Sequence, residues 1–180
     1  MLIKFRFPLI IVFSILSTFW ACNDESVKKE SSYEIFQSYR DKGVGTLFTV
    51  PPGLASVFLD DEQPGNKELK ALLSDTKKLT FLIIPNDSKS KENVYYSDIN
   101  TRLNRILFQD LAAINSGNEI ITVKVQSDNS EMANEMVVLV TNYQNIFCVS
   151  FQGSISLTKI ANLTQPDNIS IISNLNRFNR

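Results

Sequence analysis

The first 22 residues govern what the rest of the chain can become. Lys4 and Arg6 make a short basic start, and Phe7 to Trp20 then carries no charge and is mostly large and apolar. A basic start, an apolar core of this length and a small residue before a cleavage point are the parts of a secretory signal. The uncharged run is shorter than the roughly 18 residues of a spanning helix. The basic residues keep the start on the cytoplasmic side, so everything from Cys22 onward is exported. Residues 1–21 are read as a leader, and the fold must be built outside the cytoplasm from the remainder.

Ala21-Cys22, at the end of the apolar core, resembles a lipobox. At that site bacterial lipoproteins are acylated on cysteine, with fatty chains such as palmitate, and cut before it. Phe19 and Trp20 are bulkier than usual there. Acylation turns a removable signal into an anchor. Each buried methylene contributes about 0.8 kcal/mol, so two or more chains on Cys22 hold a domain stably at a membrane. The Asp24-Glu25 pair behind Asn23 is similar to the acidic signal that sends some Gram-negative lipoproteins to the cell surface. The expected location is the cell envelope, lipid-anchored to the outer membrane on its periplasmic face or at the cell surface. Residues 22–31 carry the lipidated cysteine and a polar tether. Eight residues of it, Asn23 to Glu30, reach about 25–30 Å when extended.

Without Lys4 and Arg6 the mature chain has 16 basic and 19 acidic residues, a formal net charge of −3. No basic patch is concentrated anywhere, which argues against a nucleic-acid partner. The length suits one domain. With Cys22 acylated, Cys148 has no intramolecular partner. It lies in the apolar run Ile146-Phe147-Cys148-Val149 and reads as a small core residue. The hydrophobic core must then supply stability without a disulfide framework.

The chain has no histidine. That removes Ser-His-Asp and Cys-His catalysis, the usual zinc sites and the commonest general base. No cofactor motif is present, and no catalytic, cofactor-binding or metal residue is assigned. An enzyme here would have to work with carboxylates, Lys, Tyr or Ser–Lys pairs, and the carboxylate candidates Asp60, Asp61, Glu62, Asp98 and Asp110 are scattered. Asp60-Asp61-Glu62 lacks the Asp-x-Asp-x-Asp-Gly spacing of a calcium loop and reads as a solvated turn.

Patterning supplies the elements. Ser31-x-x-Glu34 is a capping box for a helix over Ser32 to Lys42, with Gly43 as its stop. Gly45 to Val50 alternates as a strand that Pro51-Pro52 ends. Leu54 to Leu59 is short and apolar and reads as a helical turn or short helix starting on Pro52. A helix over Asn66 to Lys77 follows. Next comes Lys78 to Ile84, apolar on both sides, as a strand covered on both faces. From Val94 to Ile114, Tyr95, Ile99, Leu103, Ile106, Leu107, Leu111 and Ile114 recur at three- and four-residue steps, which predicts one long amphipathic helix. Ile120 to Val125, Glu135 to Thr141 and Ile146 to Phe151 form an antiparallel meander. Gly153 to Ser156 leads into a closing helix around Leu157 to Leu163. The expectation is one α+β domain over residues 32–165, with a mixed or antiparallel sheet of about five strands packed by helices. A ferredoxin-like arrangement is the most economical way to bury these faces. Residues 166–180 form a basic, Asn-rich tail.

In order, these segments resemble a family of small Gram-negative envelope lipoproteins classed as a domain of unknown function (DUF4252). The resemblance covers Cys22 to Leu163. It rests on Cys22, the Tyr33–Tyr39 helix and the run Gly43-Val44-Gly45-Thr46-Leu47-Phe48-Thr49-Val50-Pro51-Pro52-Gly53-Leu54. It continues through Leu69 to Lys78 and through Ile146 to Ile160 with Phe151-Gln152-Gly153-Ser154-Ile155. The family carries no assigned activity, so no site residues transfer. Its members are similar to products made beside envelope-stress sigma-factor systems, which implies a sensing role. The functional expectation is a non-enzymatic protein, held at the membrane through Cys22, that binds or senses another envelope component, with an envelope protein as its partner. A carboxylate-dependent envelope hydrolase and a structural spacer are the alternatives.

Overall fold

The computed structural model describes residues 30–85, 94–165, 167–168 and 171. The leader, Ala21, Cys22 and the tether through residue 29 lie outside these residues, as does most of the tail. Among the described residues, no helix is long and apolar enough to cross a membrane.

Eleven elements run as α1 (Ser32–Asp41), β1 (Thr46–Val50), α2 (Pro52–Val57), α3 (Asn66–Leu73), β2 (Thr76–Pro85), α4 (Val94–Arg105), β3 (Gln109–Ser116), β4 (Glu119–Ser127), β5 (Met132–Thr141), β6 (Asn145–Ser156) and α5 (Leu157–Leu163). The strands form one open sheet in the order β1-β2-β6-β5-β4-β3, and every neighbouring pair is antiparallel. β3 to β6 form the meander. β2 closes onto β6, and the chain passes from β2 over three strands to β3 by way of α4. The domain is α+β, with six strands where about five were expected. Its order is an extended meander and not the interleaved halves of a ferredoxin-like arrangement.

Helices cover both faces. α1 and α4 bury Ile35, Phe36, Tyr39, Ile99 and Leu103 against Leu82, Ile84, Leu139, Ile146 and Cys148. α3 and α5 bury Leu69, Leu72, Ile160 and Leu163 against Leu79, Phe81, Val138, Val149 and Phe151 on the other face. Residues 79, 81 and 82, 84 of β2 therefore serve opposite layers, which is why that strand is apolar on both sides. Among the described residues the elements lie between Ser32 and Leu163, and Ile171 adds to the core on the α3–α5 face.

Local chemistry explains the boundaries. Ser31 Oγ accepts from the Glu34 N–H at 3.2 Å, and the Ser31 N–H donates to Glu34 Oε2 at 2.9 Å, so the capping box starts α1. The long helix expected over Val94–Ile114 ends at Arg105. Leu107 adopts φ +70°. Its N–H donates to the Asn104 carbonyl at 3.1 Å, and the Phe108 N–H donates to Leu103 at 3.2 Å. This pair of bonds is a Schellman stop, with Phe108 and Leu103 buried together beneath it. Gln109–Ser116 is then released as an edge strand, in which Ala112 and Ile114 pack toward the α3–α5 layer. Gly153 lies within β6 instead of leading into α5. A Cβ there would sit 2.2 Å from the Asp75 carbonyl oxygen, so only glycine allows β6 to pass this close.

Candidate functional site

An apolar pocket opens at the β1 end of the sheet. Pro51-Pro52 stops β1 and starts α2, a six-residue helix with no buried residue. α2 stands off the sheet, and a cavity of about 210 Å³ lies beneath it. The floor is Phe48, Leu79, Phe81, Ile83, Phe147 and Phe151 from β1, β2 and β6. Phe48 stacks on Phe81 with centroids 5.0 Å apart, and Phe81 leans against Phe147 at 5.8 Å. Leu69 and Leu73 of α3 form one wall, and Leu54, Ala55, Phe58 and Leu59 form the other. All thirteen lining residues are Val, Leu, Ile, Ala or Phe, so no side-chain donor, acceptor or charge faces the cavity. Two of the wall residues also face solvent, Phe58 at 68% and Leu54 at 52% exposure, and Val57 beside Phe58 in the chain is 76% exposed. A contiguous exposed apolar surface above a cavity marks a binding site more than a structural element.

The five carboxylates read from the sequence do not meet in one place. Asp60, Asp61 and Glu62 share the turn after α2, where Asp60 Oδ1 accepts from the Glu62 N–H and Asp61 pairs with Lys70 Nζ at 2.7 Å. Asp98, on α4 and the opposite face, accepts from the Tyr39 hydroxyl. Burial and then this carboxylate push the Tyr39 phenol well above its ordinary range. Asp110, on β3, pairs with Lys124 Nζ at 2.6 Å. Among the described residues no three His, Cys, Asp or Glu side chains gather to hold a metal. Cys148 is fully buried, and burial alone raises its thiol far above the reactive range.

Two polar groups inside the sheet were not legible as such in the sequence. Lys124 is fully buried beneath α4, with Asn104 Oδ1 and Asp110 Oδ1 each 2.6 Å from its Nζ. Glu135 is buried on β5, accepting from Ser32 at the start of α1 and from Ser150 Oγ at 2.5 Å. Burial raises its carboxyl above the ordinary value, against the opposing pull of Ser150, Ser32, Gln152 and Lys78. Neither residue lines the pocket.

Fold and site together define a compact α+β domain, a six-stranded sheet between two helical layers with a dry pocket under a short helix. Residues 29–163 match the family described as a domain of unknown function (DUF4252), and the chain belongs to that family. No curated protein and no solved structure matches it.

Proposed function

We propose that this is a membrane-anchored envelope lipoprotein that works by binding another envelope component, without catalysis of its own, and that α2 and the pocket beneath it are the contact. The observation that carries the reading is the uncharged α2 face, exposed at Leu54, Val57 and Phe58 over a wholly apolar cavity. Exposing such a patch is unfavourable in a protein that binds nothing with it. The lipobox-like Ala21-Cys22 and the tether behind it support delivery of that face to a membrane. The absence of histidine from the sequence supports binding over hydrolysis.

Two measurements test this. The mass of the N-terminal peptide from the native membrane fraction is expected to show an acylated Cys22 as residue one. An intact Met1 or an unmodified N-terminus would remove the anchor. A photo-crosslinking residue at Val57 is expected to yield a defined adduct in intact cells. The same probe at Leu107, also well exposed at 65% but on the α4 side, is expected to yield none. Equal labelling from both positions would remove the α2 face as the contact.

A further inference from the structure

We infer that the pocket beneath α2 receives the end of a single aliphatic chain, about eight carbons deep, from an amphiphile whose head is neutral or cationic. This rests on the binding reading above and names the ligand class for the same site.

The lining sets the chemistry. With only Val, Leu, Ile, Ala and Phe on its walls, the cavity offers no side-chain partner to an incoming N–H, carbonyl or hydroxyl. A peptide backbone or a polar ring drawn inside would lose its water without compensation. The size sets the length. An apolar cavity of about 150 Å³ holds the six carbons of benzene. By proportion, 210 Å³ holds roughly eight carbons, more than any aliphatic side chain brings. A chain fits this space where a protein's Leu or Ile would leave it part empty.

The rim sets the direction of entry. Leu54, Val57 and Phe58 keep a longer chain in apolar contact as it leaves the cavity. The acidic turn follows at once in the sequence. Asp61 is neutralised by Lys70, but neither Asp60 nor Glu62 has an ion-pair partner among the described residues. Asp60 and Glu62 follow Leu59 of the wall closely in the chain, and carboxylates placed there disfavour a carboxylate or phosphate head over an uncharged or cationic one. Strand addition by a protein partner is poorly served here, because β1 is five residues long and runs straight into Pro51-Pro52.

The test uses residues 22–180 with Cys22→Ser, which hold every strand and helix found among the described residues. Methyl-labelled protein is titrated by NMR with n-alkanols, n-alkylammonium ions and n-alkanoates of about four to twelve carbons. Shifts are expected at Leu54, Leu69, Leu73, Leu79 and Ile83. Each added methylene should tighten binding about fourfold until roughly eight carbons, and then by a clearly smaller factor as the chain passes over the exposed rim. Ala55→Leu adds three carbons to the wall and should move that break to about five carbons. At equal length the ammonium should outbind the carboxylate, and added salt should close the gap. Surface-wide shifts, an affinity that climbs with length without a break, or an unmoved break in Ala55→Leu would overturn the acyl pocket. A tighter carboxylate would overturn the head-group assignment. If no chain binds while Val57 still crosslinks specifically in cells, the aliphatic ligand falls and the binding face stands. If chains bind but Cys22 is unmodified and Val57 labels nothing, the envelope reading falls and the pocket stands.

Discussion

Leu107 shows how one backbone conformation redirects a chain. Its φ of +70° costs an L-residue with a side chain roughly 1–2 kcal/mol. The side chain is 65% exposed, so little packing offsets that strain. Leu107→Gly is therefore expected to stabilise the domain by about 0.5–1 kcal/mol, read as an increased urea midpoint at unchanged slope. A loss of stability would mean that Leu107 packs more than its exposure indicates. Glu135 makes the second case. Its carboxyl is raised in the folded state, chiefly by burial, so the folded protein holds this proton more tightly than the unfolded chain. The resulting stability is full below the unfolded value near about pH 4.3 and is lost as pH rises through the higher folded value. Glu135→Gln keeps an acceptor for Ser32 and Ser150 and carries no charge. Its melting temperature should exceed that of the parent protein at pH 8, with the difference vanishing near pH 4. A constant difference across that range would show that the carboxyl ionises without cost.

At the scale of elements, β3 is held to the sheet by β4 and by an ion pair between the buried Lys124 and the solvent-facing Asp110. Lys124 is fully enclosed, and Asp110 and Asn104 are the oxygens at its ammonium. Asp110→Ala leaves that charge with Asn104, and a loss of about 1–3 kcal/mol is expected. Lys124→Met removes the charge and keeps the stem, and should cost less than Asp110→Ala or even stabilise. Chemical denaturation of the two variants side by side checks the order, and the reverse order would mean that Lys124 retains access to water. α2 has the opposite character. It fully buries no residue of its own; Ala55 packs against the core while Leu54 and Val57 stay open to serve binding.

For the whole molecule, two cores back one sheet, and a side chain's contribution depends on which layer it enters. Leu72, fully buried between α3 and the sheet, should cost about 2–5 kcal/mol as Leu72→Ala. Val57→Ser, at 76% exposure, should change stability by no more than about 0.5 kcal/mol while abolishing any contact made through α2. Thermal melts beside crosslinking yields separate the two, and a large destabilisation by Val57→Ser would make α2 a packing element.

Much of this architecture was legible in the sequence because it is written in local chemistry. The Ser31–Glu34 box, Gly43, Pro51-Pro52 and the β-rich meander each act within a few residues of themselves. The α4–β3 boundary was hidden because Ile106, Leu107, Leu111 and Ile114 fit a helical period and no glycine or asparagine marks the stop. The Schellman bonds and the burial of Phe108 decided it. Lys124 read as an outward position of an alternating strand until α4 was laid over it. The pocket was further from view. Leu54 to Leu59 announced a short apolar helix, but a run of apolar residues does not say whether its neighbours will close on it. By itself the sequence determined the α+β class and the two-faced apolar character of β2, since periodicity and composition act along the chain. Tertiary structure alone decided the sixth strand, the buried charges and the cavity under α2, because each arises where segments remote in sequence meet and either fill the space between them or leave it open.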